Sequence, residues 1–349
     1  MVTLTGTVRP PSIWKLKEFT ELYSGVHNLR LCPEDRRLLV RALTNVLLLH
    51  WPGLAEQRWD EREKHLTKFL RDLTGQFRQV RTTDGFASNR SLQAQAQPVI
   101  KDSLRIIGDL VENVLNEITQ TKTLCYNCVK EYLDIALWLF PIYVGDAAVC
   151  EELFAFFHTV FDVLKAQMGA AAVEEAIVTF LNLFGKDQMS HAILNEDGGG
   201  GAGSGIRAIE KFLGILEFVI KEPGVAFRKF IPSTLSLCLD HIYPLVANKP
   251  SADIKAPLYS LLSSVMRHQW SYFFKGTLCK QIRSDQIGVP GGAQECLHRA
   301  EFLAILQAYG QSFLQPDIAV FRQNLEALEH LNRKWKLYGK VSVNRVLIR

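Results

Sequence analysis

PVIKDSLRIIGDLVENVLNEIT, residues Pro98 to Thr119, places Ile100, Leu104, Ile107, Val111, Val114 and Ile118 at alternating spacings of four and three. A helix turns once every 3.6 residues, so these six apolar side chains share one face and predict an amphipathic helix. The spacing returns in DIAVFRQNLEALEHLNRKWKLY, Asp317 to Tyr338, where Ile318, Phe321, Leu325, Leu328, Leu331, Trp335 and Tyr338 form the expected core stripe. Asp317 follows Pro316 as the expected N-cap. Arg333, Lys334 and Lys336 put positive charge where a helix C-terminus favours it.

The same periodicity predicts helices at 12–23, 34–50, 56–80, 123–140, 147–168, 171–183, 207–221, 226–247, 254–274 and 297–314. No run alternates apolar and polar residues, and neither Asp84-Gly85 nor Asp197-Gly198 is flanked by β-branched runs, so the fold class is all-α. Tight breaks at Trp51-Pro52-Gly53, Lys221 to Gly224 and Ala247 to Pro250 predict antiparallel helical hairpins. The pairs recur about every 40 to 45 residues, close to the HEAT period, and lack the Trp, Gly, Tyr and Pro pattern of tetratricopeptides. A single pair cannot bury its own apolar face, so the expected architecture is a HEAT-like helical-hairpin solenoid, an α-α superhelix. A compact helical bundle is the competing arrangement. One continuous solenoid segment is expected over residues 1–340, with flexible insertions near 82–97, 186–205 and 275–294. Residues 341–349 are expected to be a disordered or non-native tail.

With 349 residues, 48% of them hydrophobic and 22% charged, the chain can bury a large core. Its net charge of +4 is too small to suggest nucleic-acid binding. Seven scattered cysteines, an odd number, do not form a disulfide framework in a chain this long and read as reduced thiols. The start, MVTLTGTVRPPSIWK, lacks the pattern of a signal peptide. The longest apolar run, Ile135 to Val144, falls well short of the roughly 20 residues that span a bilayer. An intracellular, soluble protein without membrane insertion is expected.

Several motifs invite a chemical reading. Gly198, Gly200 and Gly203 fit G-x-G-x-x-G, but a dinucleotide turn needs a strand before it and an acidic strand end about twenty residues on, whereas Glu217 lies inside a predicted helix. No Lys-Ser or Lys-Thr follows to make a P-loop, so a mobile insertion is expected there. Cys125 and Cys128 have C-x-x-C spacing without a second ligand pair or a thioredoxin-like context, which favours plain burial. Ser204 lacks the outer glycine of a nucleophile elbow, since Ala202 stands in its place, and no histidine belongs to H-E-x-x-H. Glu151-Glu152 and Glu174-Glu175 sit near helix starts, where the dipole favours carboxylates. The mixed charges of RWDEREKHLTKFLRDL read as a solvated face, and Asn89-Arg90-Ser91 is an incidental sequon. Trp270, Tyr272, Phe273 and Phe274 either pack a helix pair together, the favoured role, or anchor a partner. The tail RKWKLYGKVSVNRVLIR holds Arg333, Lys334, Lys336, Lys340, Arg345 and Arg349 without an acid and could attract an acidic partner. No catalytic, cofactor-binding or metal-binding residue is assigned, and partner-binding residues are left open.

AYGQSFLQPDIAVFRQNLEALEHLNRKWKLYGK, Ala308 to Lys340, together with Trp270 to Gly276 before it, closely resembles a segment toward the C-terminal part of the exportin-six family of karyopherin-β nuclear export receptors. The string GQSFLQPDI followed by QNLEALEHLN is unusual and not a generic heptad, and the upstream helical pairs are similar in order and length to the middle of that family. The resemblance implies a non-catalytic HEAT-repeat receptor that shuttles between nucleus and cytoplasm. It would bind profilin-actin as cargo, GTP-bound Ran and nuclear pore proteins. Family members are longer and hold much of the Ran contact in an N-terminal domain without a counterpart here, so a fragment is expected. The family pattern also stops after Lys340. The alternative function is an α-solenoid scaffold or tether in vesicle or signalling machinery, without Ran dependence.

Overall fold

The computed structural model describes residues 2–9, 11–184, 203–222, 226–247, 252–274 and 296–338. The expected insertion at 275–294, the tail 341–349 and almost all of 186–205 therefore lie outside the described residues. Among those described, the secondary structure is helical apart from one isolated bridge, between Phe274 and Cys296. The chain packs as two compact units, Met1–Leu183 and Phe184–Arg349.

In the first unit the helices are α1 (Lys17–Gly25), α2 (Pro33–Leu48), α3 (Trp59–Leu73), α4 (Gly75–Gln79), α5 (Arg90–Glu112), α6 (Thr119–Tyr143) and α7 (Ala147–Leu183). The expected break between 168 and 171 falls at Gly169, whose φ of 77° folds α7 into two arms. Glycine reaches that backbone region without the Cβ penalty of other residues.

Helices α2 and α3, α5 and α6, and the two arms of α7 form three hairpins, which stack through equivalent positions. Arg37 Nε donates to Asp109 at 2.7 Å, Asn113 Nδ2 donates to Asn45 Oδ1 at 3.1 Å, and Arg105 pairs with Glu152. These bonds join α2 to α5 and α5 to the first arm of α7, all running the same way. On the other layer α3 and α6 are bridged by Asn127 to Glu63 at 2.9 Å and by Arg71 to Glu131 at 3.3 Å. Between the layers Phe140, Phe154, Phe157 and Phe180 pack edge to face, Phe180 lying 4.9 to 5.3 Å from the other three rings. First helices parallel to first helices, and second to second, are the arrangement of stacked helical hairpins.

The first helices of the pairs begin at Pro33, Arg90, Ala147 and Ser204, each 57 residues after the last, a longer step than the expected 40 to 45. The reason is clearest at the expected insertion 82–97, whose second half is the first two turns of α5. Asn89 caps that helix, its side-chain oxygen accepting from the backbone N–H of Ser91 and Leu92. Gln93 Nε2 then donates to the Phe86 carbonyl at 2.9 Å, and Tyr143 O–H donates to the Gln93 carbonyl at 2.7 Å. A polar Gln-Ala repeat carries no apolar stripe but has strong helix propensity.

In the second unit the helices are α8 (Ser204–Ile220), α9 (Ile231–Ser236), α10 (Tyr243–Val246), α11 (Ala252–His268), α12 (Trp270–Phe273), α13 (Arg299–Ser312) and α14 (Ile318–Trp335). Three segments expected to be single helices are interrupted. The 56–80 helix breaks at Thr74, whose hydroxyl bonds to Tyr132 O–H at 3.0 Å. The 226–247 segment widens into a π-helical turn at Leu237–Ile242, ahead of Pro244, whose ring displaces the carbonyl four residues back. The 254–274 segment breaks at Gln269, which leaves the helical path to donate from Nε2 to the Ile220 carbonyl at 2.9 Å.

Helix α14 starts where expected, with Asp317 accepting from the Val320 N–H at 3.0 Å. Its buried residues, however, are Val320, Asn324, Ala327 and Leu331. Of the expected core stripe Leu331 is buried, while Ile318, Phe321, Leu325 and Tyr338 are exposed. The helix is turned by about one residue because Asn324 Nδ2 is held by Ser312 Oγ at 2.7 Å and Gln323 Nε2 by the Ala256 carbonyl at 2.9 Å. A buried amide with a partner outweighs the choice between two apolar faces.

Candidate interaction surfaces

Most residues that invited a chemical reading are occupied in packing. Cys125 and Cys128 lie buried on α6 against α3, and Thr67 Oγ1 donates to Cys128 Sγ at 3.4 Å. Burial pushes the Cys128 thiol up to about 12 and that of Cys125 up as well. A redox or metal-binding cysteine needs the opposite shift, toward thiolate. No group of three or more His, Cys, Asp or Glu among the described residues could hold a metal ion.

The glycine run lies outside the described residues except at its end, where Gly203, at φ 94°, precedes the first turn of α8. The last described element before it is a helix and not the strand a dinucleotide fold requires. Glu217 accepts hydrogen bonds from Ser260 and Ser264 of α11 and pairs with Lys221 at 2.8 Å. Burial alone would raise its carboxyl, but the bonds from Lys221 and Ser264 outweigh it and hold the carboxyl below its ordinary value.

Within the mixed-charge helix α3 one residue departs from the solvated face expected. Arg62 is fully buried, with its guanidinium 4.1 Å from the Trp51 ring centre and 4.6 Å from that of Trp59. It donates to the carbonyls of Leu47, Leu49 and Gln57, and so ties the Trp51-Pro52-Gly53 break to the helix that follows. Sequence gives one faint signal for this: Trp59 and Arg62 sit three apart, on one face.

The aromatic cluster packs inside the second unit. Trp270 is buried and stacks on Trp335 at 5.2 Å with an interplanar angle of 3°, while Phe302 meets Trp270, Phe273 and Phe274. Tyr272 stacks on His298 at 3.8 Å. These rings join α12, α13 and α14, which is the packing role.

What faces outward instead is the rotated stripe of α14. Ile318 is 68% exposed, Phe321 and Leu325 continue the line at spacings of three and four, and Leu314 in the preceding turn is 86% exposed. Phe313 meets Phe321 edge to face at 5.1 Å and extends the strip. In the first unit Leu16, Leu29, Leu31 and Leu38, on and around α1 and α2, are likewise exposed. A helix with apolar residues on two faces is built to be covered on both.

Stacked helical hairpins of this kind define an α-helical repeat protein. The chain is 39% identical to Exportin-6-A of Xenopus laevis over 97% of its own length and 29% of that protein. It is 37% identical to Exportin-6 of Homo sapiens, covering 97% of this chain and 30% of that one, and 28% identical to Exportin-6 of Dictyostelium discoideum, covering 92% and 28%. A family model described as Exportin-6, C-terminal TPR repeats, matches residues 266–349. The chain belongs to the exportin-6 family. It spans about three-tenths of the length of the curated relatives it matches. No solved structure matches it. The family model describes tetratricopeptide repeats where HEAT-like ones were expected. Both are helical hairpins, of about 34 and 40 to 47 residues respectively. Among the described residues no helix is long and apolar enough to cross a membrane.

Proposed function

We propose that this chain is a segment of a nuclear export receptor that binds protein cargo without catalysing a reaction. The observation that carries this is the similarity to exportin-6 proteins, sustained at 37 to 39% identity along nearly the whole chain. The cargo is profilin-actin and binding is coupled to GTP-bound Ran, with the Ran contact made mainly by parts of the longer receptor outside this chain. Such a receptor shuttles between nucleus and cytoplasm and meets nuclear pore proteins on the way. A stack of hairpins suits the task because cargo and Ran can each favour the same curvature, and whatever coupling results is reciprocal. The outward stripe of α14 then seats a neighbouring helical pair of the longer receptor, as α5 seats the first arm of α7.

The test is a pull-down of profilin-actin by the full-length receptor and by this segment, with Ran loaded with GTP or GDP. Cargo retained by the full-length receptor in the GTP arm and lost in the GDP arm is the expected result. Equal retention in both arms removes the Ran coupling, and no retention in either removes the cargo.

A further inference from the structure

Helices α8, α11 and α14 run parallel, so their C-terminal ends meet along one edge of the second unit. Glu217 in the last turns of α8 accepts from Ser264 near the end of α11, and Gln269 just past α11 reaches the Ile220 carbonyl at the end of α8. At the start of α14 Gln323 reaches Ala256 near the start of α11, and at its end Trp335 stacks on Trp270.

Each of these ends carries cations: Lys221 after α8, Arg267 and His268 closing α11, and His330, Arg333 and Lys334 on the last turns of α14. They share one surface. Arg267, Lys334 and Arg333 together push the proton off exposed His330. At His268 burial acts first, and Lys221, Lys334 and Arg267 then outweigh Glu217 in the same direction. Of the carboxylates described at these ends, Glu217 pairs with Lys221 and Glu329 with Arg333, and Glu222, which follows Lys221, is engaged as well. Arg267 and Lys334 have no carboxylate partner among the described residues, and Lys336, the C-cap of α14, adds a third such cation.

The plain alternative is that these cations only offset the helix dipoles. Three C-termini bring about −0.5 charge each, roughly −1.5 in all, against three unpaired cations, so a positive surplus remains.

We propose that this edge, centred on Arg267 and Lys334, is a docking surface for an acidic polypeptide segment. The surface favours a peptide over RNA, because Trp270 is buried and stacks on both Trp335 and Phe274, while Lys334 Nζ lies 5.0 Å over the Trp335 ring, so neither indole offers a face on which bases could lie. The inference rests on the geometry of the second unit and not on Ran or export.

The experiment is fluorescence anisotropy of a labelled twelve-residue Glu-Gly peptide titrated with the whole chain at low and at physiological salt, beside a single-stranded RNA of equal charge. Saturable binding of the peptide, weakened at least tenfold by Arg267→Glu with Lys334→Glu and unchanged by Lys17→Glu with Lys122→Glu on the first unit, is expected. Circular dichroism verifies the fold of each variant, and Arg267→Gln with Lys334→Gln decides the matter if charge reversal unfolds the chain. Equal weakening by both pairs, no peptide binding, or tighter binding of the RNA overturns the proposal.

Discussion

Arg62 carries a charge into the interior of the first unit, surrounded by carbonyl oxygens and two indole faces. Burial draws its pKa down to about 10, so the site tolerates the charge at a cost and does not reward it. What the residue supplies is donors for the carbonyls of Leu47 and Leu49 at the end of α2, both buried residues. Arg62→Met keeps the bulk and removes the donors, and two stranded carbonyls at about 1–3 kcal/mol each predict a loss of about 2–6 kcal/mol. Urea unfolding with an unchanged slope is the measurement, and a variant as stable as the parent refutes the role. Glu217 makes the opposite case. Its folded carboxyl is held below its ordinary value, so its stabilisation is complete above the unfolded pKa and is lost as pH falls through the folded one. Glu217→Gln is therefore expected to flatten the stability profile between roughly pH 5 and pH 3. Thermal melts across that range show it, and parallel profiles for the two proteins contradict it.

Helix α14 shows what periodicity can and cannot determine about an element. Its limits and its N-cap were legible, because Pro316, Asp317 and the closing cations act locally. Its rotation was not, because apolar residues lie on two faces and only the partners of Asn324 and Gln323 choose between them. The two faces predict different responses. Leu331→Ala on the inner face is expected to cost about 2–5 kcal/mol, whereas Ile318→Glu and Leu325→Glu on the outer one leave stability within about 0.5 kcal/mol. The outer pair should also reduce concentration-dependent self-association of this chain in sedimentation. If Ile318→Glu unfolds the chain as readily as Leu331→Ala, the stripe read from sequence was the core after all. The start of α5 teaches the complementary lesson. Gln-Ala alternation between Leu92 and Pro98 carries no hydrophobic period, so sequence left it in the insertion 82–97, and the Asn89 cap and the contact with Tyr143 mark it as helix only in the structure.

At the scale of the whole molecule, repetition is what ties the parts together. Ion pairs such as Arg37 with Asp109 and Arg105 with Glu152 join equivalent helices of successive hairpins, but each is partly exposed and contributes little to stability. Their use is register, since each pairs one repeat to a fixed height on the next, while the phenylalanine cluster supplies the burial. Contacts spread over such a stack predict that cargo retention in the proposed pull-down fades gradually as repeats are removed and does not vanish with one residue. Loss of all cargo retention on a single surface substitution argues for a discrete pocket instead.

The sequence by itself determined the all-α class, most helix limits, the turn at Gly169 and the membership of the exportin-6 family. These depend on local spacing, caps and continuous identity, which the order of residues carries directly. Tertiary structure decided which face of α14 is buried, that Arg62 lies inside, that Cys125 and Cys128 stay protonated and that three helix ends gather their cations on one edge. Each of those depends on which groups from distant parts of the chain come within hydrogen-bond or Coulomb range, and spacing along the chain does not encode that distance.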